Sequence, residues 1–156
     1  MQTIISQQLL NATSTAAKAS PRLRKNHNFH RADSDLCHRL LNALEPETYV
    51  PPHRHLDPAK GESIIILRGS VGVLFFAANG EVTDKLRLQP QGEHIGVDIP
   101  AGTFHSLVSL EPGSVFFEAK AGPYVPITAD ELASWAPPEV NAEVSCYLAW
   151  MKSHFD

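Results

Sequence analysis

The stretch SIIILRGSVGVLFFAANGEVTDKLRL, residues 63–88, decides the fold class. It holds three short runs rich in β-branched and aromatic residues, a composition typical of strands. Gly69 separates the first two runs, and Asn79-Gly80, a strong hairpin signal, separates the second from the third. The runs are residues 63–67, 71–76 and 82–88. The stretch therefore predicts three consecutive antiparallel strands.

The same alternation of short apolar runs and turn signals continues toward residue 119. Pro100-Ala101-Gly102 and Pro112-Gly113 are further turn signals, and an apolar run follows each of them. The additional strands are predicted at residues 94–99, 105–110 and 115–119. Short strands at this spacing, with no alternation of strand and helix, indicate an antiparallel sandwich or small barrel over residues 49–119.

The N-terminal part of the chain carries helical patterns. Ser6 is a suitable cap for a helix that ends before Pro21. Four leucines predict a second helix at about residues 34–44, because they share one helical face. They are Leu36, Leu40, Leu41 and Leu44. We therefore expect residues 1–48 to form a helical N-terminal extension.

The C-terminal part also reads as helical. Thr128 and Glu131 form a capping box, which predicts a short helix toward Trp135. A last helix is expected at about residues 140–154. Residues 120–156 are therefore predicted to be a helical C-terminal extension that packs, like the N-terminal one, against the β-unit. A dimer contact is an equally good interpretation of both ends.

Length and composition bound the remaining possibilities. The chain has 156 residues, of which 43% are hydrophobic and 19% charged, and this indicates a single globular domain. A formal net charge of −4 argues against nucleic acid and anionic membranes as partners. The N-terminus lacks a basic region before its apolar residues, so we expect no signal peptide. Two cysteines are too few for a disulfide framework, and a cytoplasmic location is expected.

The main chemical signal is PPHRH, residues 51–55. His53 and His55 are two positions apart, so on a strand both point to the same face, about 6.6–6.8 Å apart along the backbone. Two imidazoles at that separation can converge on one metal ion. Two ligands do not make a site, however, and by themselves they are explained equally well as surface histidines.

Two further positions supply more ligands. Glu62 begins an apolar strand, where a carboxylate is out of place unless it faces something polar or cationic. In PAGTFH, residues 100–105, a turn leads into a strand that starts with His105. Distant strands of a meander can lie side by side, so His105 can face the same cavity as His53 and His55. Taken singly, Glu62 and His105 would each be interpreted as a strand end at the surface.

Together these residues resemble the two motifs of the cupin superfamily. His53-Arg54-His55, then Glu62, then Gly69 reproduce the core of the first motif, and Pro100–His105 reproduces the P-x-G-x2-H of the second. The resemblance implies a double-stranded jelly-roll barrel that holds one metal ion through three histidines and one glutamate. The implied ligands are His53, His55, Glu62 and His105.

The spacing departs from the motif at one important place. Six residues separate His55 from Glu62, where the motif has three or four. Asp57 is therefore an alternative carboxylate ligand, although the interval from Glu62 to Gly69 matches the motif and favours Glu62.

The resemblance extends over about residues 20–139. The segments RKNHNFH, LLNALEPETYVPPHRH, LEPGSVFFEAKAGPY and WAPPE are similar to the WbuC family of cupin-fold metalloproteins. Those are small bacterial proteins named from a gene of polysaccharide (O-antigen) clusters. The resemblance implies a bound divalent metal, and it suggests a sugar or nucleotide sugar of surface-polysaccharide biosynthesis as the small-molecule ligand. It implies no settled reaction and assigns no catalytic residue.

Ligand chemistry leaves the metal and its use open. Three imidazoles and one carboxylate suit divalent Fe, Mn, Ni, Cu, Co or Zn. On an octahedral ion they leave two positions for water, substrate or dioxygen, whereas a closed tetrahedral zinc leaves none. The alternatives are a metal-dependent isomerase or epimerase, a dioxygenase, a non-catalytic carbohydrate- and metal-binding module, and a structural metal site.

Other residues are weaker candidates. The basic segment at residues 22–25 suits phosphate oxygens, although a solvated linker explains such a run as well. Aromatic strand residues can line a cavity but are more often core. The candidate substrate contacts are Arg24, Asn28, His30, Tyr49 and Phe104. Glu118 is a candidate partner of a ligand histidine, although a solvent-facing strand end is the more common explanation of such a residue. Because cupins often pair through barrel edges and terminal segments, the resemblance also implies a homodimer.

Overall fold

The computed structural model describes residues 2–156. The described residues contain eight β-strands and two α-helices. In chain order these are α1 (Gln7–Lys18), β1 (Arg24–Asn28), β2 (Cys37–Leu44), β3 (Glu62–Arg68), β4 (Val71–Phe76), β5 (Val82–Leu88), β6 (Gly96–Ile99), β7 (Phe104–Ser109), β8 (Ser114–Ala121) and α2 (Val144–Ser153). Within residues 2–156, neither helix has the length and apolar character needed to cross a membrane.

The strands form two antiparallel sheets. One sheet has five strands in the order β1-β2-β8-β3-β6, and the other has three in the order β5-β4-β7. Both sheets contribute branched and aromatic side chains to one apolar core between them. Its buried members include Ile64, Val71, Val73, Leu88, Leu107 and Phe116. Strands far apart in sequence, such as β3 and β8, lie side by side, and this topology brings separate sequence motifs together.

The two helices cover the outer faces of the sheets. Helix α1 packs on the five-stranded sheet through Leu10 and Ala17. Helix α2 packs on the three-stranded sheet through Leu148 and Met151. All six residues of β7 are consequently buried, because this strand has the core on one side and the C-terminal cover on the other.

The sequence predicts the β-unit closely. Strands β4 and β5 have the predicted bounds, and the turn between them contains Gly80 at φ +91°, a conformation that favours glycine. Helix α1 is also confirmed, because the Ser6 side chain accepts a hydrogen bond from the Leu9 N–H at 3.3 Å. The predicted fold class is confirmed: a mainly β jelly-roll barrel with a helical segment toward each end.

The helix predicted at residues 34–44 is wrong, because this segment forms β2. Leu41 is buried beneath α1, whereas Leu44 enters the core between the sheets. A strand that is covered on both faces loses the alternation of apolar and polar residues, and its leucines then also fit a helical period. Leu36 is 80% exposed and takes no part in either core.

Residues 128–135 do not form the predicted short helix. The capping box itself is present, since the Glu131 carboxylate accepts a hydrogen bond from the Thr128 N–H at 2.9 Å. The backbone then extends along the histidine motif: the Arg54 N–H donates to the Glu131 carbonyl at 2.9 Å, and the Ala133 N–H donates to the Pro52 carbonyl at 3.0 Å. Tertiary pairing thus outweighs the local helix signal.

The helical description of residues 1–48 therefore applies only to α1, because β1 and β2 belong to the five-stranded sheet. In residues 120–156 the helix begins at Val144 rather than near residue 140. The division of the chain into units at 1–48, 49–119 and 120–156 stays a prediction.

Candidate metal centre

The histidine motif lies beside strand β7. Residues 51–55 are too short to form a named strand, but His53 pairs with His105 as two antiparallel strand residues do. The His53 N–H donates to the His105 carbonyl at 3.0 Å, and the His105 N–H donates to the His53 carbonyl at 2.9 Å. Residues paired in this way project their side chains to the same face. The backbone therefore aims both rings into one end of the barrel.

Strand β3 places Glu62 at the same end. Glu62, Ile64 and Ile66 are buried while the residues between them are exposed, so the carboxylate follows the inward-facing period of the strand. Glu62 is only 4% exposed, and its register partners are Ile99 in β6 and Lys120 in β8. The apolar strand therefore delivers a carboxylate into the barrel.

The structure brings the four predicted ligands together. One ligand atom each from His53, His55 and Glu62 lies within 4.8 Å of the others. The Nε2 atom of His105 lies 2.7 Å from Glu62 Oε1, and the Nε2 atom of His55 lies 3.6 Å from the same oxygen. The ring centroids of His53 and His105 are 4.6 Å apart. The cluster has the composition predicted from the sequence, with three imidazoles around one carboxylate.

Backbone carbonyls orient two of the rings. The Nδ1–H of His53 donates to the Pro51 carbonyl at 2.9 Å, and the Nδ1–H of His105 donates to the Thr103 carbonyl at 2.9 Å. A neutral imidazole with its proton on Nδ1 has a lone pair on Nε2, which is the atom that then binds a metal. Each ring is thus fixed in the tautomer that a ligand needs.

The donor set fits a divalent transition metal. The Nε2 atoms of His55 and His105 are buried and make no hydrogen bond of good geometry, although both face Glu62. At His105, a lone pair on Nε2 meets a carboxylate oxygen at 2.7 Å, and two lone pairs so close repel each other unless a cation lies with them. Ligand atoms about 2.0–2.2 Å from a shared ion lie up to about 4.3 Å apart, so the observed spacing needs little closing.

Burial and neighbouring groups determine the protonation states of His53 and Glu62 in the candidate site. Burial, and after it the neighbouring His105 ring, lowers the pKa of His53 from 6.5 to about 4. Burial opposes ionisation of Glu62, but the His105 and His55 rings beside the carboxylate, together with Lys120, outweigh it and hold the Glu62 pKa below its usual range. Near neutral pH the site therefore offers a neutral imidazole and an ionised carboxylate, the forms that bind metals.

The pKa of His53 predicts how acid affects the metal-free protein. Between pH 6.5 and about 4 the unfolded chain protonates this histidine while the folded chain does not, so stability falls as the pH falls through that window. The loss is on the order of 3 kcal/mol. Glu62 contributes a further loss of stability only below about pH 4.5, because its pKa is lower in the folded than in the unfolded protein.

Urea unfolding at several pH values in the presence of a chelator measures this effect. The variant His53→Gln should lose most of the slope between pH 6.5 and 4. An unchanged slope in that variant would contradict the assignment to His53.

A second layer of charges supports Glu62. Lys120 Nζ lies 2.5 Å from Glu118 Oε1 and 3.6 Å from Glu62 Oε2. The Asn42 side-chain amide donates to Glu118 Oε2 at 2.6 Å. Burial raises the pKa of Glu118, although Lys120 opposes this rise. Burial would lower the pKa of Lys120, but Glu118 and Glu62 together raise it, so Lys120 remains a cation.

A small cavity opens onto the cluster. It has a volume of about 130 Å³ and is lined by His53, His55, Lys60 and Lys120, with an apolar wall that includes Tyr124 and Val125. Glu62 and His105 lie deeper. A molecule that enters from solvent therefore passes the two histidines of the first motif and the two lysines before it reaches Glu62 and His105.

The five weaker candidates lie elsewhere, since none of them lines this cavity. Arg24 forms an ion pair with Glu139 at 3.1 Å and donates to the Tyr49 carbonyl, while Asn28 is exposed at the end of β1. Tyr49 is buried and donates its hydroxyl to the Pro137 carbonyl, which makes it a core residue. Their role in substrate binding stays a prediction.

Phe104 and His30 each lie one layer away from the cavity. Phe104 packs against Trp135 on the other face of β7 from His105, with the Arg54 guanidinium 4.4 Å from its ring centroid. His30 stacks on His38 at 4.0 Å, and His38 is the ring that lines the cavity.

The sequence reasoning missed Lys60, Lys120 and His38 at the cavity. A signal for Lys120 was present, because Glu118 and Lys120 are two apart in the apolar strand VFFEAKA and so share a face. Asp57, the alternative ligand, is exposed and its carboxylate accepts a hydrogen bond from the Ala59 N–H.

Known proteins share the fold with this chain at low sequence identity. The KdgF structure from Halomonas sp. has 18% identity and a TM-score of 0.52, covering 68% of this chain and 84% of that one. A cupin superfamily protein from Desulfitobacterium hafniense has 14% identity and a TM-score of 0.49, covering 63% and 76%. A Bacillus subtilis oxalate decarboxylase, described with Mn(II) centres, has 18% identity and a TM-score of 0.49, covering 70% and 27%. The similarity to KdgF shows that this chain shares the fold of that protein, in agreement with the predicted jelly-roll barrel.

Sequence comparison gives one family match. A family model described as "Domain of unknown function (DUF6016)" matches residues 5–88. The matched segment spans more than half of the 156 residues and includes His53, His55 and Glu62. Comparison with curated proteins finds no match.

Proposed function

We propose that this chain, which belongs to the family described as "Domain of unknown function (DUF6016)", is a cupin that binds one divalent transition metal and uses it on a small oxygen-rich molecule. One observation carries the proposal. The buried Nε2 atoms of His55 and His105 have no good hydrogen bond and converge on the Glu62 carboxylate. Buried polar atoms are rarely left unpaired, so this arrangement favours a cation as their missing partner.

The four residues have distinct tasks in this proposal. His105 and Glu62 hold the inner side of the ion, because both are almost completely buried. His53 and His55 hold the side that faces the cavity. Lys120 positions the Glu62 carboxylate through the second carboxylate oxygen, which leaves Oε1 for the cluster. A bound ion of this type supplies Lewis-acid chemistry, or dioxygen chemistry if it is iron.

The finer part of the proposal concerns substrate and setting. The similarity to the WbuC family supports a sugar or nucleotide sugar of bacterial surface-polysaccharide biosynthesis as the ligand. Free Cys37 and Cys146 are in keeping with a reducing cytoplasm. A homodimer completes the proposal, on the basis of the family resemblance.

Elemental analysis of protein purified without added metal tests the proposal. We expect about one equivalent of Fe, Mn, Ni, Cu, Co or Zn, and a loss of affinity of more than about tenfold in Glu62→Gln, which keeps the shape but removes the charge. Asp57→Asn is the matched control, because it removes the alternative carboxylate and should bind normally. Light scattering of the same preparation should give the mass of a dimer.

Two outcomes would contradict the metal assignment. One is a wild-type protein that contains no metal and takes none up on titration. The other is a pair of variants with reversed behaviour, in which Asp57→Asn weakens binding and Glu62→Gln does not.

A further inference from the structure

The charges around the cavity are unbalanced when a divalent ion is present. Glu118 balances Lys120, which lies 2.5 Å away, and Glu62 balances one of the two charges of the ion. Lys60 also lines the cavity. Its Nζ donates to the Pro123 carbonyl at 3.0 Å, and among residues 2–156 no carboxylate oxygen lies within 4.0 Å of it. About two positive charges thus face the opening without a counter-charge.

Asp57 and Glu131 line an adjoining pocket together with Lys60, and both carboxylates accept hydrogen bonds from other groups. The Glu131 carboxylate accepts hydrogen bonds from the Leu56 N–H and the Thr128 N–H, both at 2.9 Å. The Asp57 carboxylate accepts from the Ala59 N–H at 2.9 Å. Lys60 is therefore free to bind an anion that enters the cavity.

The opposite wall is apolar and exposed. Tyr124, Val125 and Ile127 line the cavity and are 58%, 54% and 39% exposed. Neighbouring apolar side chains at a cavity rim favour contact with the carbon skeleton of a ligand. The walls therefore suit a molecule with an anionic end and a carbon body.

The size of the cavity limits the molecule further. The cavity volume of about 130 Å³ is well below the roughly 300 Å³ at which pockets for drug-sized ligands begin, so only a small group fits beside His53 and His55. An adjoining pocket of about 300 Å³ shares His55, Lys60 and Val125 with the cavity, so a longer ligand would extend into it past Lys60.

We propose that the cavity binds a small organic carboxylate. One oxygen of the carboxylate is directed to the metal-binding residues, and its negative charge is paired with Lys60. The pairing needs Lys60 specifically, because Lys120 is already committed to Glu118 and Glu62. This inference rests on the proposed metal-binding function. It narrows the substrate class from oxygen-rich molecules to small carboxylates, so that among sugars only those carrying a carboxylate would qualify.

Titration of the Co(II)-loaded protein with malonate tests the inference, with the visible spectrum of Co(II) as the readout. We expect malonate to perturb the spectrum saturably and neutral malonamide to leave it unchanged. Lys60→Met should raise the apparent Kd for malonate by about tenfold or more, and Lys60→Arg should stay within about threefold of wild type. Lys25→Met is the control for a general charge effect, because Lys25 is exposed in β1, away from the cavity.

The possible failures are distinguishable. If the wild-type protein does not retain one equivalent of Co(II), the proposed function fails and this inference falls with it. If Co(II) is retained, the inference alone is overturned by any of three results. These are no response to malonate, an equal response to malonamide, or equal malonate affinity in Lys60→Met and wild type. Tighter binding of inorganic phosphate than of malonate would also overturn it, since the site would then select phosphate.

Discussion

The double variant His53→Ala/His105→Ala is expected to bind no stoichiometric metal, whereas the wild-type chain binds about one equivalent. The two histidines pair through their backbones and present their rings to the same cluster from adjacent segments. Removing both leaves His55 and Glu62, and two protein ligands do not hold a transition metal tightly. Loss of one supporting partner of a ligand already costs about 10–100-fold in affinity, so loss of two ligands exceeds that range.

The fold should survive in this variant. The core between the sheets is built from aliphatic and aromatic residues, and the metal cluster lies at the end of the barrel rather than inside that core. A single cooperative thermal transition, and a circular dichroism spectrum that matches metal-free wild type, would show this. Elemental analysis after gel filtration measures the metal content.

A matched control removes two imidazoles without touching the cluster. His27→Ala/His94→Ala takes away histidines outside the candidate site, His27 in β1 and His94 in the loop before β6. It should keep its full equivalent of metal. If both double variants keep the metal, or both lose it, then binding does not depend on the predicted centre.

Much of the β-unit could be predicted from the sequence because its signals are local. Turns at Gly69 and Asn79-Gly80 coincide with breaks between β-branched runs, and β4 and β5 consequently match their predicted bounds. Where local signals conflict with tertiary structure, the prediction fails. The segment 34–44 has leucines on both faces because α1 covers one side of it, and only the folded protein shows that cover.

The candidate site was predictable in part for a similar reason. His53, His55, Glu62 and His105 follow a spacing that a known motif shares. Lys60 follows no motif, and it reaches the cavity through the loop between His55 and β3. The six-residue gap is two or three residues longer than in the motif and includes Lys60, so the departure from the motif spacing coincides with the cation that we assign to substrate binding.

Lys120→Met is expected to destabilise the metal-free protein by about 2–4 kcal/mol at pH 7, as measured by urea unfolding in the presence of a chelator. The substitution keeps the length of the side chain but leaves Glu118 and Glu62 buried without their shared cation. Removing one partner of a buried ion pair costs more than the pair itself contributes, because the remaining charge keeps its desolvation penalty. The loss lies toward the lower end of that range if Glu118 takes up a proton.

Protonation of Glu118 makes the stability of Lys120→Met depend on pH. Burial already raises the pKa of Glu118, and Lys120 opposes the rise, so removing Lys120 raises the pKa further. A carboxyl group with a raised pKa in the folded state binds more protons when folded than when unfolded, and its penalty therefore grows as the pH rises through that range. The variant should consequently lose less stability, relative to wild type, at pH 5 than at pH 7.

The double variant Glu118→Gln/Lys120→Met separates an unpaired charge from lost packing. It removes both charges of the 2.5 Å pair and keeps a side-chain amide beside Asn42. We expect it to recover most of the stability, because a charge-free pair of similar volume carries no desolvation penalty. Equal destabilisation of the single and double variants would attribute the effect to packing around Lys120 or to Glu62, which both variants leave without this cation, rather than to Glu118. A change below about 0.5 kcal/mol in the single variant would show that Glu62 and Glu118 do not need this cation.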